Sequence, residues 1–145
     1  MTGALSPAKL AEIRGSFAAQ GLMRSLGAEL VALAPGRVSV AAPIRPESGQ
    51  QHGFAHAGLS FALGDSAAGY AALSLMPEGA EVLTVEMKIN LLAPASGARL
   101  VATGSVIRAG RRLVVVSAEV RAEAGEDTGD RARLVALLQG TMIPA

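Results

Sequence analysis

From Val82 to Leu91 the chain alternates strictly, with Leu83, Val85, Met87, Ile89 and Leu91 on one parity and Thr84, Glu86, Lys88 and Asn90 on the other. A period of two marks a strand with one apolar and one polar face. Further β-like runs cover Ala28–Leu33 and Arg37–Ala42, flanking the turn signal Ala34-Pro35-Gly36, so a hairpin is predicted there. Leu100–Arg108 and Leu113–Ala122 are joined by Ala109-Gly110-Arg111, and the polar segment Gly125–Asp130 leads to a last run, Leu134–Ile143. The C-terminal half therefore reads as an antiparallel meander.

Two stretches break this period. Ser6-Pro7 followed by Ala8, Lys9, Leu10, Ala11, Glu12 and Ile13 has an N-cap, a first-turn proline and good helix formers, which predicts a short N-terminal helix ending near Gly21. Ala57–Met76 is too long for a strand, and its Ala and Leu content favours a helix despite Gly64 and Gly69. Helix, two strands, helix, four strands is an α+β order: a curved antiparallel sheet of about six strands wrapped around one long apolar helix. With no linker, repeat or low-complexity segment, the 145 residues read as a single domain over 1–145.

Composition narrows the chemistry. Half the residues are apolar but only 3% are aromatic, so Ala, Val and Leu must build the core and backbones can approach closely. Thirteen basic and twelve acidic residues give a net charge of +1 without any block of like charge, which argues against nucleic acid as a partner. The absence of cysteine excludes a thiol nucleophile, a disulfide framework and a thiolate metal site, and suits a cytoplasmic protein. Met1–Lys9 lacks the basic start and apolar stretch of a secretory signal. Ser48–Pro77, weakly charged but rich in Gly, Ala and Ser and interrupted by Asp65, reads as core and not as a membrane span.

Asp65 is the only formally charged side chain between Ser48 and Pro77. On a helix it shares a face with Gly58, Phe61, Ala68, Gly69 and Ala72, where burial would penalise its charge; desolvated carboxylates of this kind gather at catalytic sites. From helix position alone, a structural carboxylate on an exposed sliver of helix fits equally. Gln50-Gln51-His52-Gly53-Phe54-Ala55-His56-Ala57-Gly58 then sets amides, imidazoles and small residues just before the helix. Backbone N–H groups in the first turn are unpaired and partially positive, suited to an oxyanion forming on a carbonyl under attack, and Ala57 and Gly58 would let a ligand come close. Ala57 and Asp65 are eight residues apart, roughly 12 Å along a helix, so one chain cannot hold both around one carbonyl. A second subunit is predicted to complete the site.

The segments His56-Ala57-Gly58, Leu63-Gly64-Asp65-Ser66-Ala67, Val85-Glu86-Met87-Lys88-Ile89-Asn90 and Ala93-Pro94-Ala95 together resemble the hotdog thioesterases of the phenylacetate-degradation (PaaI-like) type. In that family a His-Gly-Gly turn opens the central helix, an acidic residue follows the His by nine positions, and an Asn or Gln precedes it by six; here these positions are His56, Asp65 and Gln50. The resemblance implies an acyl-CoA thioesterase without metal or organic cofactor, acting on an aryl or medium-chain acyl-CoA. It implies that Asp65 attacks the thioester or activates water, that Gln50 orients the water or the carbonyl, and that the Ala57 N–H polarises the thioester oxygen. It also implies a homodimer with Asp65 supplied across the interface, and a homotetramer as the usual assembly.

Thr84 occupies the position where some relatives carry a Ser or Thr near the acid, although β propensity alone also explains a strand threonine. His56 fits a turn-fixing role better than proton transfer. Arg108, Arg111 and Arg112, the densest basic cluster, are candidates for the coenzyme A phosphates; a solvated hairpin tip is the other reading. The sequence departs from the family at Ala57, where the middle Gly of the turn is expected; the N–H survives, and the added methyl bears on substrate preference. A non-catalytic acyl-CoA-binding module and a hotdog 3-hydroxyacyl-thioester dehydratase, pairing His56 with Asp65, are the alternatives.

Overall fold

A computed structural model describes residues 3–125 and 132–145; most of the polar segment Gly125–Asp130 lies outside the described residues. Helix α1 (Pro7–Ala19) starts as its residues dictate, with Pro7 in the first turn and the Ser6 hydroxyl accepting the Lys9 N–H at 3.1 Å. It ends at Gln20, which is extended, and a second short helix, α2 (Gly21–Leu26), follows where the sequence reading has none. Strands β1 (Glu29–Ala34) and β2 (Arg37–Pro43) form the predicted hairpin. A single 3₁₀ turn at Pro46–Ser48 precedes helix α3 (Ala57–Leu73). This helix tightens into i→i+3 turns through Met76, with Leu75 N–H on Ala72 O and Met76 N–H on Leu73 O. Strands β3 (Val82–Leu91), β4 (Arg99–Ala109), β5 (Val114–Glu123) and β6 (Arg133–Pro144) complete the chain.

All six strands pair antiparallel in the order β1-β2-β4-β5-β6-β3, so β3 lies at one edge although it is third in sequence. Helix α3 lies across the sheet against β2, β4, β5, β6 and β3. Ala67, Ala68, Ala71 and Ala72 are fully buried against Val38, Val40, Leu100, Ala102, Val116 and Val120. Gly104 sets the depth of this contact: a Cβ there would lie 2.3 Å from the Ala68 nitrogen. Small residues on both sides thus bring two backbones together, as the poverty in aromatics requires.

The N-terminal helices cover the rest of α3. Ile13, Phe17 and Met23 are buried, and the Phe17 ring meets Tyr70 edge-on with centroids 6.0 Å apart. The Tyr70 hydroxyl accepts from Gln20 Nε2 at 2.7 Å and shares a hydrogen bond with Ser16 Oγ at 3.0 Å. Lys9, nearly buried, donates from Nζ to Pro77 O at 3.0 Å and pairs with Glu12 at 2.8 Å. The hydrogen bond from Lys9 and a second from the Gly79 N–H hold the Glu12 carboxyl below the usual range.

Replacing Gly104 with Val forces Cβ and both methyls into the α3 backbone and is expected to destabilise the fold by about 3 kcal/mol. Urea denaturation would read this as a lower midpoint at constant slope; an unchanged midpoint would show slack between helix and sheet.

Candidate active site

The loop before α3 is held from both sides. The His56 N–H donates to Ser48 O at 2.9 Å, and the Ala55 N–H donates to Ala95 O at 2.7 Å, so the Ala93-Pro94-Ala95 segment fixes the helix entry. His56 is the N-cap: its Nδ1 accepts the Gly58 N–H at 2.7 Å. Nδ1 is therefore unprotonated and the ring proton sits on Nε2. A Cβ on residue 58 would lie 2.9 Å from that same Nδ1, so Gly58 is what lets the imidazole fold over the helix end. With the Gly58 and Leu59 N–H groups committed to His56, the Ala57 N–H is the first-turn donor left for a ligand.

Gln50 is oriented by its own loop. Its Oε1 accepts from the Phe54 N–H at 3.3 Å and also from the His52 N–H. Two N–H donors can only face the oxygen of the amide, which leaves the Nε2 group to donate outward. Gln50, His56, Ala57, Phe54, Ser60 and Leu91 are among the residues lining one cavity of about 510 Å³.

Asp65 is elsewhere. It lines a cavity of about 240 Å³ together with Ser16, Gln20, Tyr70, Glu81 and Thr84. The carboxylate Oδ1 accepts the Thr84 hydroxyl at 2.8 Å, leaving Oδ2 without a protein donor among the described residues. Asp65 is half-buried, not buried as the sequence reading has it. One face of the first half of α3 is uncovered, with Ala57, Gly58 and Phe61 exposed, while Leu59, Ser60 and Leu63 beside them, and Ala68 and Ala72 on the expected shared face, are buried.

Strict alternation puts Thr84 on the polar face with Glu86, Lys88 and Asn90; the structure does not. Thr84 lies opposite Met142 and Glu86 opposite Thr141, so Val85 is an extra residue, a β-bulge that shifts the parity of the strand. Thr84 consequently faces α3 and reaches Asp65, whereas Leu83 and Val85 are 57% and 55% exposed. Met87 and Ile89 beyond the bulge pack against the core as expected.

The rows of paired residues also locate the arginines. Thr84, Met142 and Val114 face one another across β3, β6 and β5, and Val114 faces Ala109 of β4. The β4–β5 turn, with exposed Arg108, Arg111 and Arg112, therefore lies at the Asp65 end of the sheet, about 10 Å from β3 at two strand spacings. Arg111 and Arg112 line a shallow hollow with Leu113, Ile143 and Pro144, and none of the three arginines lines the cavities of Asp65 or Gln50.

Within the chain, Asp65 and Thr84 are thus brought together, as are Gln50, His56, Ala57 and Gly58, and the two groups are kept apart. Sequence reasoning missed Ser16, Gln20 and Tyr70 beside Asp65, and Ser60 beside Ala57; only the apolar surroundings of Tyr70 and the first-turn position of Ser60 hinted at them. Among the described residues no group of three or more His, Asp or Glu is placed to hold a metal ion, and no helix is long and apolar enough to cross a membrane.

Residues 52–128 match the thioesterase superfamily. The crystal structure of a thioesterase family protein from Silicibacter pomeroyi superposes with a TM-score of 0.87 at 43% identity, covering 94% of this chain and 97% of that one. A variant of the phenylacetic acid degradation protein PaaI from Thermus thermophilus is 30% identical, with a TM-score of 0.72 over 86% of this chain and 98% of its own. The PaaI protein of the E. coli phenylacetic acid degradation operon, 22% identical, shares the fold with a TM-score of 0.84 over 98% of this chain and 96% of that one. By the match over its central helix and sheet, and by its likeness to these structures, the chain belongs to the thioesterase superfamily and is a thioester hydrolase of the PaaI-like, hotdog-fold type.

Proposed function

We propose that the protein hydrolyses an aryl or medium-chain acyl-CoA to the free acid and coenzyme A, in a site that two subunits complete. One observation carries this reading: a carboxylate with a free oxygen and a cup of hydrogen-bond donors lie in separate cavities of the same chain, at opposite ends of an unpaired edge strand. Thr84 marks the Asp65 end of β3 and Leu91 the Ala57 end, seven residues or roughly 23 Å apart. Antiparallel pairing of β3 with a second copy, centred between Met87 and Lys88, sets Thr84 of one chain against Leu91 of the other. Asp65 of each subunit then meets Gln50 and Ala57 of its partner. Phe54, Phe61, Leu91 and Leu92, each more than a third exposed in the single chain, are the apolar surface such a pairing would cover.

In that arrangement the Ala57 N–H and Gln50 Nε2 hold the thioester oxygen or the attacking water, while Asp65 acts from the opposite face. As a general base, Asp65 takes a proton from water as the water oxygen bonds to the carbonyl carbon; the C–S bond then breaks, its electron pair leaves on sulfur, and the proton passes to the thiolate. As a nucleophile, Asp65 forms an anhydride as the C–S bond breaks and the thiolate leaves; water then cleaves the anhydride, restoring the Asp65 carboxylate and releasing the acid, and a proton from that water passes to the thiolate. Thr84 fixes the carboxylate in both courses, and His56 acts by shaping the helix end. Arg108, Arg111 and Arg112 bind the nucleotide phosphates. The dimer is the smallest active unit, and a homotetramer is two such dimers.

Thiol release from an acyl-CoA panel tests the chemistry. Asp65→Asn preserves shape while removing base and nucleophile, and is expected to lower kcat about 1000-fold; near wild-type turnover would sink the mechanism. Co-expressing Asp65→Asn with Gln50→Ala is expected to restore about a quarter of wild-type activity, since half the dimers are mixed and each holds one intact site. No recovery would place the whole site within one chain. Replacing Arg111 and Arg112 together with Ala should raise KM about tenfold at constant kcat, and an unchanged KM would free the hairpin of any role in binding.

A further inference from the structure

Ser60 is 2% exposed, and its hydroxyl has no hydrogen-bond partner among the described residues. It lines the same cavity as Gln50, His56 and Ala57. The side chain is buried, yet its hydroxyl oxygen is reachable from the cavity, so a group bound there can supply the hydrogen-bond partner that the protein does not. A helical serine ordinarily returns its hydroxyl to the carbonyl four residues back. Here that carbonyl belongs to His56 and accepts the Leu59 N–H at 2.9 Å, and the Ser60 hydroxyl forms no bond with it.

Position supplies the rest. Side chains on a helix lean toward its N-terminus, and residues three apart stack on one face, so Ser60 Oγ lies over the turn that carries Ala57. The Gly58 N–H is spent on His56 Nδ1, leaving Ala57 with no backbone neighbour to share the load of a developing negative charge. With Gln50 Nε2 engaged by the attacking water, one N–H is left for the oxyanion, and a second donor aimed at the same point is worth much more in the transition state than in the ground state.

We propose that Ser60 is a catalytic residue of this thioesterase: its hydroxyl donates the second hydrogen bond to the thioester oxygen, beside the Ala57 N–H, and strengthens as that oxygen becomes anionic. The assignment rests on acyl-thioester hydrolysis at this cavity. It also gives the Ser60 hydroxyl a partner that the protein does not supply.

Hexanoyl-CoA and benzoyl-CoA, whichever the wild-type protein turns over faster, serve as the probe. Ser60→Ala should lower kcat about 100-fold with KM changed less than about threefold, and Ser60→Thr, which keeps the hydroxyl, should retain at least about a third of wild-type kcat. Three results would each overturn the assignment: full kcat in Ser60→Ala, equal losses in Ser60→Ala and Ser60→Thr, or an effect confined to KM or to the melting temperature, as for a hydroxyl that only holds a structural water. Should Ser60→Ala lose the fold, Ser60→Cys, nearly isosteric with a weak donor, carries the same expectation. Asp65→Asn is measured alongside. If it loses activity while Ser60→Ala does not, the Ser60 assignment alone fails; if Asp65→Asn keeps activity, the hydrolytic mechanism fails first.

Discussion

The fold turns on how closely α3 can lie against the sheet. The contact of Gly104 with the backbone of Ala67 and Ala68 admits no Cβ, and the fully buried alanines around it leave the helix almost no freedom to slide or roll. A helix packed through large side chains could repack around a small displacement; one packed backbone to backbone cannot. Everything functional on α3 inherits that fixity. The direction in which Asp65 projects, the height of the Ala57 N–H above the sheet edge and the point at which His56 closes the helix are all set by one pair of main chains in contact.

The chain separates acceptor from donors. At one end of β3 stands a carboxylate steadied by a threonine hydroxyl; at the other stand a backbone N–H, an amide whose oxygen is already occupied, and a serine hydroxyl. Were both sets in one cavity of one chain, the carboxylate would satisfy itself on the donors and neither would remain poised for substrate. Distribution along an edge strand avoids that collapse. One face of α3 near His56 is open to solvent, whereas Tyr70 beyond Asp65 is covered by Ser16, Phe17 and Gln20.

Much of this was legible in the residues because the signals were local. Pro7 after Ser6, the Pro35-Gly36 turn and the Ala-rich stretch from Ala57 each act through their own backbone, and the elements they announce formed close to their expected limits. The thioesterase resemblance rested on spacings that the structure turns into contacts, Ala95 with Ala55 being one. What stayed hidden depended on parity or on partners distant in sequence. Both parities of β3 near its start carry residues that tolerate exposure, so alternation gave no sign of the bulge at Val85. Asp65 looked buried because its neighbours in sequence are apolar, yet the chain leaves it half-buried. Ser60 went unremarked in a helix full of Ala and Gly, and only the absence of a partner distinguishes it.

The bulge at Val85 makes the identity of residue 84 and the length of β3 a single inherited trait. A strand that kept all its residues but took Val85 into the ladder would regain perfect alternation and a tidier ladder with β6, and by every local measure would be the better strand. It would also turn the Thr84 hydroxyl to the outer face and leave the Asp65 carboxylate to solvent. Selection acting on the sheet alone would remove the irregularity; its presence records that the strand is read by the helix beneath it.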